Sequence, residues 1–140
     1  MVLLDTGHMS LIERGGMECG RILSRLRLIS RNQVSTSIVS FEEQTRGWLA
    51  RIAQNPNMDR QVVIYAELRR TLRNYCDITV LEFDTSAATE FNRLRIEGVR
   101  IGTMDLKIAS IALANDATLL TRNLSDFQRV PNLRAEDWSV

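Results

Sequence analysis

The sequence predicts an α/β fold, a three-layer α/β/α sandwich with a central parallel sheet, formed by a single domain over residues 1–140. Short apolar or β-branched runs alternate along the chain with segments of helical period, which is the pattern of parallel strands joined by right-handed helical crossovers. The length of 140 residues, with 44% hydrophobic and 25% charged side chains, suits one domain with one sizeable core.

The first predicted strand ends in a carboxylate. Val2-Leu3-Leu4 is a short, wholly apolar run typical of a buried parallel strand, and it stops at Asp5-Thr6-Gly7. A helical turn that begins at Ser10 is broken by Gly15-Gly16, and an amphipathic helix is predicted over 18–29. Asp5 is therefore expected at the C-terminal end of a strand.

A second strand leads into a predicted helical hairpin. Residues 34–39 alternate and are rich in β-branched side chains, and Ser40-Phe41-Glu42-Glu43 has the S-x-x-E spacing of a capping box. The helix that this box would open runs through Trp48 to about Asn55, and a further helix covers 59–74.

The C-terminal half repeats the order of strand and helix. A third strand is predicted over 78–83, followed by a helix that is capped by Asp84 or Thr85 and extends to Glu97. The next helix begins at Thr103. After it come a buried strand over 118–120, a polar corner over 121–126 and a short terminal strand over 133–138.

Acidic side chains flank these strands at one edge of the sheet. Asp5 follows strand one, Glu43 opens the helix after strand two, Asp105 opens the helix before strand four, and Asn123 and Asp126 follow strand four. Strand C-termini and helix N-termini converge at this edge, so we expect these groups to lie close together. Clustered carboxylates repel one another unless a cation is present, and an all-oxygen set favours Mg²⁺ or Mn²⁺. The pattern predicts an acidic metal site suited to phosphodiester hydrolysis.

These residues also have structural interpretations. A capping box accounts for Glu43, and on local sequence alone it is the better explanation. The helix macrodipole favours Asp105 by about 0.3–1 kcal/mol, and Asp126 can pair with Asn123 as a local cap. Asp5 is harder to explain in this way, because a carboxylate after a buried strand costs desolvation energy unless it is paired or binds a metal.

The net charge, the cysteines, the single histidine and the apolar runs limit the possible partners, metal sites and location of the protein. The net charge of +1 gives no global field for a polyanion, so it neither supports nor excludes RNA. Cys19 and Cys76 lack metal-binding spacing, and the lone His8 is interpreted as structural or exposed rather than as a general base. Asp5 interrupts any apolar signal core, and no run approaches the roughly 18 apolar residues of a membrane span, so we expect a cytoplasmic protein without membrane association.

Four segments, taken in order, resemble the PIN-domain ribonucleases, and specifically the VapC-type toxins of bacterial toxin–antitoxin modules: LLDTGHMSLIERG, SIVSFEEQTRGWLARI, IGTMDLKIASIALANDATLLTRNLSDF and VPNLRAEDW. The resemblance implies a PIN-like sandwich, a homodimer, a cognate antitoxin partner, Mg²⁺ or Mn²⁺ dependence and cleavage of RNA. It maps the family's three acids to Asp5, Glu43 and Asp105, and hydroxyl positions beside the metal to Thr6 and Thr121.

The chain departs from the family pattern at two positions. Gly7 stands where Asn is usual, and Asn123 stands where a fourth acid often follows a Thr-Arg pair, so Asn123 and Asp126 are both candidates for a fourth ligand. Two alternatives therefore stay open: a PIN-fold subunit with an inactive site, and a receiver-like or other regulatory module whose acidic corner binds Mg²⁺ without cleavage. A receiver is disfavoured because Thr121-Arg122-Asn123 replaces the expected lysine after strand four.

Overall fold

Five strands and seven α-helices alternate along the chain. In a computed structural model that describes residues 1–140, the strands are β1 Val2–Leu4, β2 Val34–Ser37, β3 Thr79–Leu81, β4 Thr118–Leu120 and β5 Ala135–Glu136. The helices are α1 Thr6–Arg14, α2 Met17–Leu26, α3 Ile38–Gln54, α4 Met58–Cys76, α5 Thr85–Ile96, α6 Thr103–Ala114 and α7 Leu124–Phe127. A short 3₁₀ helix, Arg31–Gln33, precedes β2.

The strands form one parallel sheet in the order β3-β2-β1-β4-β5. Successive strand residues point to opposite faces, so Leu3 and Leu119 enter a core with α5 and α6, while Leu4 and Leu120 enter a core with α1, α2 and α4. Helices therefore cover both faces, and the predicted three-layer sandwich with a parallel sheet is confirmed. None of the helices is both long enough and apolar enough to cross a bilayer.

The boundary between β2 and α3 corrects the sequence prediction. The strand ends at Ser37 and not at Val39, because the Ser37 hydroxyl accepts the Ser40 N–H at 3.0 Å and so caps α3. Ile38 and Val39 are helical despite their β-branched side chains, and Val39 is buried in the core. The predicted capping box is wrong: Ser40 lies inside the helix, and Glu43 lies in its second turn.

Other element ends shift by a few residues. Helix α1 begins at Thr6, well before the predicted turn at Ser10, because Asp5 caps it. Helix α2 ends at Leu26, and β3 and β5 are shorter than predicted because only these segments pair with a neighbouring strand. The predicted polar corner contains the start of α7. Of the two predicted caps for α5, Asp84 is the one that accepts, from the Ala87 N–H at 2.9 Å.

Candidate active site

Asp5 lies in the middle of the sheet's carboxyl edge, because β1 is the central strand. Its backbone N–H donates to the Leu120 carbonyl at 3.0 Å, which continues the ladder between β1 and β4. Its Oδ1 accepts the His8 N–H at 2.7 Å as the N-cap of α1. Asp5 is buried, with 9% of its surface exposed, so the cap supplies part of the compensation that a buried carboxylate requires. The cap occupies Oδ1 only.

Glu43 is held against the start of α1. The Thr6 hydroxyl donates to Glu43 Oε1 at 2.7 Å, a contact that links residues 37 positions apart in the sequence. Because Ser37 caps α3, Glu43 is not needed for capping and projects from the second turn toward the β1 edge. This contact gives Thr6, one of the predicted supporting residues, a defined role in orienting a predicted ligand.

Asp105 lies in the first turn of α6, whose N-cap, Gly102, offers no side chain. Burial raises the pKa of Asp105 from its ordinary 3.8 to about 6, and the charges of Glu43, Asp5 and Asp126 add to the rise. These three acids come from α3, the end of β1 and α7, so four distant segments deliver carboxylates to one region. The macrodipole of α6 favours a negative charge at this position, yet burial and the neighbouring acids outweigh it.

The loop after β4 is built on hydrogen bonds among its own polar residues. Thr121 is fully buried, and its Oγ1 accepts the Asn123 N–H at 3.0 Å. The Asn123 side-chain amide donates to Asp126 Oδ2 at 2.9 Å. Asn123 therefore holds Asp126, while Asp126 is the member of the pair whose charge reaches Asp105. Thr121 supports the loop backbone.

The oxygen-only donor set fits a hard cation, but the side chains are not arranged around one. No three carboxylate, histidine or cysteine side chains stand close enough together to hold a metal ion as they are oriented. The Thr6 hydroxyl holds Glu43 to one side. Coordination therefore requires side-chain rotation around Asp5, which its cap holds in place.

His8 is a positioning residue whose burial the sequence did not reveal. It is fully buried, its Nε2 accepts the Trp138 backbone N–H at 3.2 Å, and its Nδ1 lies 3.5 Å from Asp5 Oδ1. The C-terminal segment is thereby tied to α1, the helix that Asp5 caps. The interpretation of His8 as structural rather than as a general base agrees with this placement, since a fully buried ring cannot reach substrate.

Fold and site together define an α/β protein with a central parallel sheet and an acidic, all-oxygen centre at the sheet's carboxyl edge. The family model for the PIN domain matches residues 2–133, and the chain belongs to that family. Its relatives within the family are VapC proteins, so the resemblance seen in the sequence is confirmed.

Two curated relatives illustrate the similarity. Ribonuclease VapC2 of Rickettsia felis is 40% identical over 65 residues, which cover 44% of this chain and 48% of the relative. The tRNA(fMet)-specific endonuclease VapC of Salmonella typhimurium is 37% identical over 65 residues, which cover 44% of this chain and 49% of the relative. The chain thus spans about half the length of the curated relatives it matches.

Solved structures extend the likeness to the whole fold. VapBC2 from Rickettsia felis, bound to a DNA fragment from its promoter, matches with a TM-score of 0.73 and 25% identity over 99% of both chains. VapBC-1 from nontypeable Haemophilus influenzae matches with a TM-score of 0.75 and 24% identity over 100% of both chains. The PIN-like architecture is therefore shared from end to end.

Proposed function

We propose that this protein is a Mg²⁺-dependent endoribonuclease and the toxin of a toxin–antitoxin pair. The observation that carries the proposal is the convergence of Asp5, Glu43, Asp105 and Asp126 at the carboxyl edge of the sheet. Burial raises the pKa of Asp105, and the charges of the other three acids add to that rise. Membership of the PIN-domain family and similarity to proteins named ribonuclease and tRNA endonuclease support the same reaction.

Asp5, Glu43 and Asp105 would hold the cation, with Asp126 or Asn123 as the fourth ligand. When bound, Mg²⁺ or Mn²⁺ lowers the pKa of a coordinated water and neutralises charge that develops on the scissile phosphate. Each observed hydrogen bond to Asp5, Glu43 and Asp126 engages one carboxylate oxygen, so the other oxygen of each side chain would be free to bind the cation after side-chain rotation. Hydrolysis of this kind leaves 5′-phosphate and 3′-hydroxyl ends.

Protein partners form the second part of the proposal. Solved structures with this fold include toxin–antitoxin complexes. We infer that this chain likewise binds an antitoxin and that it forms a homodimer. The α3–α4 hairpin supports an interface, because it exposes large apolar side chains at Leu49, Met58, Val62, Val63, Tyr65 and Leu72. Sedimentation at micromolar concentration should show a dimer, and a single 16.0 kDa species would contradict dimerisation.

The activity is tested by incubating the purified protein with bulk bacterial RNA in Mg²⁺ or in EDTA. Cleavage should require the metal and should be lost in Asp5→Asn, Glu43→Gln and Asp105→Asn. Glu42→Gln is the matched control, since Glu42 is the neighbouring acid on α3 and pairs with Arg46 at 2.6 Å. Equal activity of Glu43→Gln and Glu42→Gln would remove Glu43 from the site.

Titrations of labelled RNA and of the metal, run beside the cleavage assay, separate the alternatives. A protein with an inactive site binds RNA but produces no new ends in Mg²⁺ or Mn²⁺. A regulatory module binds the metal and leaves RNA intact and unbound. Either outcome would overturn the proposed reaction.

A further inference from the structure

Gly47 is a helical glycine that the fold itself does not require. It lies in the middle of α3, where glycine is less favourable than any residue except proline. Its φ is not positive, the residue is exposed, and a Cβ added there would meet no atom within 4 Å. Neither backbone conformation nor packing within the chain explains the absence of a side chain. A glycine inside a helix is useful where another molecule approaches the helix backbone closely.

Gly47 lies between two clefts that both reach Glu43. A cleft of about 740 Å³ lies between α1, α3 and α4, and a smaller one of about 320 Å³ lies between α3 and the start of α6 at Met104. Glu43 and Gly47 are the two residues that line both clefts. They are four residues apart on a helix and therefore occupy the same face, with Gly47 one turn beyond the predicted ligand.

The larger cleft has the chemistry of a single-stranded nucleic-acid groove. Most of the residues that line it are not hydrophobic, and they include Arg14 and Arg51, neither of which is in an ion pair. Trp48 is fixed there, because its indole N–H donates to Thr71 Oγ1 at 2.8 Å and the Arg51 guanidinium lies 5.0 Å from its ring. Cationic side chains beside a rigid aromatic ring bind phosphates and stack bases.

Three glutamates and three arginines line this cleft, so its formal charge balances, and Arg14 and Arg51 are its cations outside any ion pair. Glu13 accepts hydrogen bonds from Gln44 and Asn74, and Glu67 pairs with Arg70 at 3.3 Å. On the other side of Gly47, Arg46 lines the smaller cleft and is paired with Glu42 at 2.6 Å. Unpaired cationic side chains therefore lie on the larger-cleft side of α3.

We propose that the RNA strand crosses α3 over Gly47, passing from the larger cleft to the smaller one beside Glu43. The missing side chain lets the sugar–phosphate backbone lie against the helix there, while Trp48 and Arg51 hold the adjoining nucleotides. This assignment rests on the proposed ribonuclease function, and it identifies the path of the substrate through that site.

Gly47→Ala and Gly47→Leu test the crossing, with Gly20→Ala and Gly20→Leu as matched controls. Gly20 lies inside α2, is exposed, would also place a Cβ in open space, and lines neither cleft. All four changes should raise the melting temperature, because each removes a glycine from a helix interior. Only the changes at Gly47 should impair cleavage, and Gly47→Leu should raise KM about tenfold, the order of effect of losing one nucleotide contact.

A binding measurement tests the path of the RNA without requiring that the protein cleave it. Fluorescein-labelled, random-sequence single-stranded RNA is titrated in EDTA, and Gly47→Leu should weaken binding in parallel with the rise in KM while Gly20→Leu does not. If the wild-type protein fails to cleave RNA, the proposed function is wrong. The comparison of RNA binding by Gly47→Leu and Gly20→Leu still tests whether RNA crosses α3 over Gly47.

Three results would overturn the crossing. One is a Gly47→Leu protein that is more stable and both binds and cleaves RNA like wild type. Another is unchanged RNA binding with lost subunit association in sedimentation, which would assign Gly47 to a protein contact. The last is wild-type protein that binds no RNA in the titration.

Discussion

Replacing Asp105 by Asn should stabilise the metal-free protein at alkaline pH. The pKa of the Asp105 carboxyl rises from 3.8 to about 6 on folding, so the folded state binds the proton more tightly than the unfolded state. The contribution of this proton binding to the free energy of unfolding is complete below pH 3.8 and is lost as the pH rises through about 6. Above pH 7 the ionised carboxylate therefore opposes folding, and Asp105→Asn removes that opposition.

The magnitude follows from the size of the shift. A rise of about two pKa units corresponds to about 3 kcal/mol, and solvent screening of this half-buried group reduces it to about 1–2 kcal/mol. For a domain of this size, that free energy raises the melting temperature by about 2–8 °C. The gain should be present in EDTA at pH 8 and should shrink toward pH 4.5.

Asp59→Asn is the matched control, because Asp59 occupies the first turn of α4 as Asp105 occupies the first turn of α6, but is exposed. Removing it should cost about 0.3–1 kcal/mol through the lost macrodipole interaction. Thermal unfolding followed by circular dichroism at both pH values measures both variants. Loss of stability in Asp105→Asn at pH 8, similar to that in Asp59→Asn, would refute the conclusion that the ionised, buried Asp105 carboxylate opposes folding.

Two further predictions concern the loop after β4 and the contact between α1 and the C-terminal segment. Asn123→Asp should lower the metal concentration needed for half-maximal RNA cleavage, while Asp126→Asn should raise it only if Asp126 is the fourth ligand; a metal titration that neither change alters would exclude the loop from the ligand set. His8→Ala should destabilise the protein by about 2–4 kcal/mol, because it empties a fully buried site and leaves the Trp138 N–H without its acceptor. Urea unfolding measures this loss, and a change below about 1 kcal/mol would show that the C-terminal segment is held by other contacts.

Local sequence patterns predict the structure correctly where they are compatible with only one type of secondary structure. The apolar runs of β1 and β4 are buried strands with the predicted bounds, and Asp84 caps α5 as its position indicated. Local signals were misleading at Ile38-Val39, where β-branched residues suggested strand. The Ser37 cap and the burial of Val39 outweigh that small intrinsic preference.

The same error affected the site. The S-x-x-E spacing that begins at Ser40 explains Glu43 locally as a capping residue, whereas in the structure the Thr6 hydroxyl is the partner of Glu43. Spacing along one segment cannot reveal a hydrogen bond between residues 6 and 43. The burial of His8 escaped prediction for the same reason, since its acceptor role depends on the distant Trp138.

By itself, the sequence determined the kind of fold and the kind of residue at the sheet's carboxyl edge, because hydrophobic period and polar strand ends are local properties of the chain. Only the tertiary structure decided that β1 lies between β2 and β4, which makes Asp5 the centre of the site. It also decided that Glu43 turns toward Thr6 and that Gly47 separates two clefts. Strand order and helix docking depend on how surfaces from distant parts of the chain pack together. The free energy of this packing is shared among residues that no local sequence pattern connects.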